Sequence, residues 1–168
     1  MKTTNILSVV LFCFIFGSVN AQDKKVKAQL ANKAEQSEID ILLNSKSFEF
    51  IANTALPLGQ PPRNLVGSNY SVTFSPDLII SNMPFYGRSY STTMVSGRDK
   101  GMRFKDAPEI FTVEKQGKGF EVRAKVKNDN ETYTVLLIVS ASGYATLSIT
   151  TNDRQIMDYQ GEVVSIRE

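Results

Sequence analysis

The chain contains no histidine, and its one cysteine, Cys13, sits inside the apolar N-terminal run "ILSVVLFCFIF". Those two facts decide most of the chemistry open to it. Beyond that run, zinc sites of Cys and His, Ser-His-Asp hydrolysis and cysteine nucleophiles are all excluded. So is the imidazole that most often serves as general base near neutral pH. Carboxylate, lysine, arginine and tyrosine remain. The acids nearest to aromatic stretches are Asp106, Glu109 and Asp158. Two carboxylates about 5–10 Å apart can cleave a glycosidic bond, but no spacing here places two of them together. Each reads as a solvated surface acid. "NDNE", Asn128 to Glu131, offers four oxygen-bearing side chains. It lacks the glycine and closing bidentate glutamate of an EF-hand loop, and reads as a hairpin turn. "GRDKG" and "GKG" lack phosphate-loop spacing and go to turns as well. No metal and no cofactor is expected.

The densest group of recognition residues is "NMPFYGRSY", Asn82 to Tyr90. Pro84 fixes its own φ and pushes Met83 toward an extended conformation, and Gly87 permits a bend. On an extended path Phe85 and Tyr86 project to opposite faces, and Tyr86, Arg88 and Tyr90 share one face. That face suits stacking on a sugar or aromatic ligand, with Arg88 meeting an anionic group. The first reading, ahead of ligand binding, is a plug, in which one ring seals the end of a β core and Arg88 bonds loop carbonyls. Phe85, Tyr86, Arg88 and Tyr90 are the candidate ligand-binding residues, with one ring expected in the core and the other at a rim near Arg88.

The elements that would position these residues begin with a leader. Lys2, the apolar run Ile6–Phe16 and the small residues Val19 and Ala21 have the form of a secretory signal peptide over residues 1–21, cleaved before Gln22. Leu11 and Phe12 before Cys13 do not suit lipid attachment, so an exported, non-anchored product is expected, periplasmic or extracellular. Removing residues 1–21 from 168 leaves 147, enough for one domain with its own core. It also removes Lys2, leaving 18 basic against 17 acidic side chains. That balance argues against nucleic acid as a partner. No later apolar run reaches membrane-spanning length.

Residues 22–46 read as a polar arm running into a helix, roughly Lys27 to Asn44, whose Ile39, Leu42 and Leu43 share one face. From Ser47 the period changes to two, and residues 47–168 read as a single antiparallel β domain. "NYSVTFS" alternates, and "FEVRAKVK" does so most clearly, with Phe120, Val122, Ala124 and Val126 on one face. "TYTVLLIVS" is apolar on both faces and belongs inside the sheet. "YATLSITT" and "QIMDYQGEVVSI" follow, with Gly161 as a possible bulge. Short turns and strands at 8–12-residue spacing predict a meander of seven or eight strands. Its apolar face demands a strongly curved sheet, incomplete barrel or sandwich, with the helix packed against it.

Three stretches, "FEFIANTALP", "MPFYGRSY" and "GYATLSITTNDRQIMDYQGEV", resemble a Bacteroidetes family of secreted domains of unknown function. The resemblance spans most of Phe48 to Val163. It implies a fold and a secretion route and brings no activity or catalytic residue. The expected role is a non-enzymatic binding or accessory domain for a small molecule or protein segment. The alternatives are a carboxylate hydrolase of envelope glycans and a structural protein-interaction module.

Overall fold

The computed structural model describes residues 33–34, 38–90, 101–128 and 131–166. The expected leader, and the expected helix before residue 38 apart from 33–34, lie outside the described residues. Among the described residues ten strands form one antiparallel sheet: β1 (Phe48–Pro57), β2 (Arg63–Asn64), β3 (Ser71–Phe74), β4 (Ile79–Met83), β5 (Met102–Asp106), β6 (Pro108–Gln116), β7 (Gly119–Lys127), β8 (Thr132–Val139), β9 (Tyr144–Thr151) and β10 (Met157–Val164). Their order is β5-β4-β3-β1-β10-β9-β8-β7-β6, with β2 paired to β1. The expected class holds, a mainly antiparallel β fold with a nearly closed, barrel-like sheet. The count is higher than seven or eight because two-residue β2 and the "MRFKD" strand β5 carry too little pattern to be seen.

The two edges of this sheet, β5 and β6, are consecutive in the chain and separated by Ala107 alone. One stretch of chain therefore serves β4 with its first half and β7 with its second. The sheet curls until its edges approach, leaving one open seam. Contacts across the interior follow from that curl. Phe104 on β5 meets Tyr133 on β8, with ring centroids 4.4 Å apart, and Phe74 on β3 stacks on Phe111 of β6 at 6.2 Å.

Alternation decides which side chains fill the barrel. On β7 Phe120, Val122, Ala124 and Val126 point inward, and β8 supplies Tyr133, Val135, Leu137 and Val139. These two strands pair as the predicted hairpin, with Val122 opposite Leu137 and Val126 opposite Tyr133. β1 starts in phase with Phe48, Phe50 and Ala52 buried, then slips, so that Ala55 and Pro57 follow. The slip is a bulge at Asn53, where Ala52 pairs with Gly161 but Thr54 pairs with Gln160. The extra residue is thus on β1, and Gly161 is its counterpart, not its site. A β-carbon on Gly161 would lie 1.9 Å from the Ile51 carbonyl oxygen, so only glycine lets the bulged strand approach.

A short helix, α1 (residues 38–44), covers one end. Leu43 is fully buried, Ile39 reaches Gly143 in the β8–β9 turn, and Asp40 accepts an ion pair from Lys115 of β6 at 2.5 Å. Lys46, at φ 56°, ends the helix with its amide bonded to the Leu43 carbonyl.

Candidate functional site

The opposite end of the barrel is covered by the aromatic segment. β4 runs on into it as far as Met83. Beyond Gly87 the chain lies against the β9–β10 turn: Gln155 N donates to Arg88 O at 2.9 Å, Tyr90 N donates to Asp153 O at 2.7 Å, and Ser89 bridges Arg154. The Arg88 amide donates to Gln155 Oε1 at 3.2 Å. Phe85 turns inward and is 8% exposed; Gly87 lets the chain fold over its ring, where a β-carbon would meet Phe85 at 2.8 Å. Tyr86 projects the other way and is half-buried. The split between the rings is the one expected of an extended Pro84-Phe85-Tyr86 path. The cation beside Tyr86 is Arg63 of β2, its guanidinium 4.4 Å from the ring centroid, and Gln60 Nε2 donates to the Tyr86 carbonyl at 2.9 Å. The Arg88 and Tyr90 side chains are exposed, Tyr90 by 69%.

Beneath this cover lies a polar group that local sequence does not reveal. Arg154, 4% exposed, directs Nε to Glu131 Oε1 at 3.0 Å and Nη1 to the Gly101 carbonyl at 2.6 Å; Glu131 is 9% exposed. The guanidinium carbon sits 5.4 Å from the Phe85 ring centroid. Tyr133 donates its hydroxyl to Glu131 Oε2 at 2.5 Å, and Tyr159 donates to the Pro84 carbonyl at 2.5 Å. Burial first, then the hydrogen bond to Glu131 and that residue's charge, hold the Tyr133 phenol far above the ordinary tyrosine range. Every polar atom named here has a partner, so the group ties the segment, the turn and the start of β8 into one cap.

A third feature lies on the outer face. Where β1, β10, β9 and β8 run side by side, a concavity of ≈ 550 Å³ opens at the Asn53 bulge. Thr54, Gln160, Thr146 and Ile138 form a direct cross-strand row through it. Asn53, Ser140 and Tyr144 also line it, and Tyr144 is 68% exposed. Among the described residues, no charged one contributes to the lining. The acids singled out in the sequence lie elsewhere. Glu109 pairs with Lys125 at 3.0 Å, and Asp158 accepts the Ser148 hydroxyl at 2.6 Å. Asp106 closes β5. Among the described residues, no three acids, histidines or cysteines gather as a metal site, and no helix is long and apolar enough to cross a membrane.

A family profile, described as a domain of unknown function (DUF4251), matches residues 29–163. The chain belongs to the DUF4251 family. A solved structure similar to it is that of a DUF4251 family protein from Bacteroides eggerthii DSM 20697, at 12% identity and a TM-score of 0.59 over 82% of this chain and 91% of that one. At that identity the likeness shows the shared fold alone. No curated protein matches. DUF4251 membership carries no chemistry, so the site of this DUF4251 chain rests on its own side chains. Sequence reading missed Arg63, Arg154, Glu131 and Tyr144. One signal for the buried pair was available: in a meander, the β7–β8 and β9–β10 turns share an end, which brings the acid of "NDNE" near the arginine of "NDR".

Proposed function

We propose that this DUF4251 chain is an exported, non-catalytic binding domain, and that its ligand rests in the outer concavity over β1, β10, β9 and β8. The observation that carries this is a charge-free lining. At ≈ 550 Å³ the concavity is of ligand size, and its walls offer apolar area with a few amides and hydroxyls. A carboxylate hydrolase needs two acids converging in one cleft. The acids here are ion-paired, hydrogen-bonded to a serine or placed at a strand end, and none lines the concavity. Export rests on the signal-like residues 1–21.

Within the aromatic segment the roles divide. Phe85 serves the core. Arg88 and Tyr90 keep side chains toward solvent, Tyr86 is half-buried against the core, and the Tyr86–Arg63 stack favours a second, weaker contact surface at that end. The reading is tested on protein recovered from its native envelope fraction. Native mass spectrometry should show a chain beginning at Gln22 with a non-covalent companion. Thr146→Lys, which fills the concavity, should remove that companion without moving the melting temperature. A companion that survives Thr146→Lys but is lost with Tyr86→Ala moves the site to the aromatic end. A chain that retains residues 1–21 overturns the export.

A further inference from the structure

Resting on that reading, we propose that the concavity binds an uncharged carbohydrate, with Tyr144 as the platform for a sugar ring and Gln160, Thr146 and Asn53 as its hydrogen-bonding side chains. The strand register builds the arrangement. Thr54, Gln160, Thr146 and Ile138 are successive cross-strand partners, and Tyr144 stands two residues along β9 on the same face as Thr146. The β1 bulge adds Asn53 to the rim.

The types matter more than the number. Amide and hydroxyl side chains both donate and accept, as sugar hydroxyls do, so a polyol can satisfy them in either sense. A carboxylate or phosphate on the ligand would lose its water and meet no opposite charge in the lining. Charge exists close by, but outside the lining. Glu121 lies beyond Ile138 in the same row, and Glu162 lies opposite Tyr144. Glu121 is ion-paired to Arg123, so a nucleotide stacked on Tyr144 would bring its phosphates toward the Glu162 carboxylate. A lipid tail needs a deep apolar slot, whereas Gln160 and Thr146 stand in the middle of this floor. Tyr144 is 68% exposed in a position where no packing requires an aromatic. A tyrosine ring offers a flat apolar face to the C–H edge of a pyranose and keeps its hydroxyl in water.

The test uses residues 22–168 and titrates neutral oligosaccharides (gluco-, manno-, xylo- and N-acetylglucosamine oligomers) against oligogalacturonate and a sulfated glycan, by calorimetry and ligand-observed NMR. Binding of at least one neutral series is expected, with the same affinity at low and high salt. Tyr144→Ala and Gln160→Ala should each weaken it by about tenfold, roughly the loss of one stacking or hydrogen-bonding contact. Both variants should melt as the parent does. Preference for the acidic glycans, affinity that falls with salt, or binding unchanged in both variants overturns the assignment. If no neutral glycan binds while a Thr146→Lys-sensitive companion is still present in native preparations, the sugar class fails and the binding reading stands. If neither is found, both fail.

Discussion

Replacing Arg154 with methionine keeps most of the side-chain volume and removes the charge. The carboxylate of Glu131, 9% exposed, then has no counter-ion, and the Gly101 carbonyl loses a donor 2.6 Å away. Breaking a buried pair from one side costs about 3–5 kcal/mol, chiefly because an uncompensated charge stays behind. For a domain of this size each kcal/mol lowers the melting temperature by roughly 4 °C, so Arg154→Met should melt about 12–20 °C below the parent. Glu131→Gln strands the guanidinium instead and should cost roughly 2–4 kcal/mol. The decisive sample is the double variant. With both charges gone, the amide introduced by Glu131→Gln still accepts from Tyr133, and the loss should be smaller than the sum of the singles by about 1.5–3 kcal/mol. Urea melts of the four proteins, analysed as a cycle, measure that coupling. Additivity within about 0.5 kcal/mol would show that Arg154 and Glu131 do not share a desolvated site, and the cap would not be a single unit.

Phe85→Ala should destabilise by about 3–5 kcal/mol as a core truncation, whereas Tyr86→Ala should forfeit only the Arg63 stack and its partial burial, about 1 kcal/mol; equal losses in thermal melts would refute the split of the two rings. Gly161→Ala drives a β-carbon against the Ile51 carbonyl and should cost about 3 kcal/mol or more, while Gly67→Ala meets open space and should cost about 1 kcal/mol for its φ of +79°. Raising the pH should expose Tyr133. Its folded phenol holds its proton above the ordinary value of 10.0, so the unfolded chain ionises first and stability falls as pH climbs past that value. Tyr133→Phe should start less stable by about 1–2 kcal/mol from the lost hydrogen bond and show a shallower decline in urea melts between about pH 9 and 11.

Much of the sheet could be read from period alone, because β7 alternates without a break and β8 is apolar wherever it must be. The pattern failed where the physics is not local. At Asn53 the bulge reverses the alternation of β1, and nothing in "FEFIANTALP" marks that residue as extra. The closest hint, Gly161, belongs to the partner strand. Arg154 sits in "NDR", which has the composition of a solvated turn. Its burial arises because Phe85, far off in sequence, is laid over it. The aromatic segment was legible as a place where rings diverge, since the two-residue period requires it, but not which cation would meet Tyr86. Arg63 gets there because β2 pairs with the end of β1 at Ala55. The outer concavity was invisible for a related reason. Its row of Thr54, Gln160, Thr146 and Ile138 comes from four strands whose registers are set elsewhere.

The pairing of Glu49 with Val164 joins the first long strand to the last. β6 to β10 can zip up one hairpin at a time, each closing a short loop. β1 can pair locally with β2 and β3 on one side, but its long partner on the other side is made last, and the loop between them spans nearly the whole domain. The chain therefore cannot complete its sheet until β10 has emerged from the ribosome, and closing the β1–β10 loop carries an entropy cost that the hairpins do not. During synthesis the edge of β1 that pairs with β10 stays open, a state in which a nascent chain is accessible to chaperones. It is also the state in which a chain can still be threaded, extended, through a narrow channel.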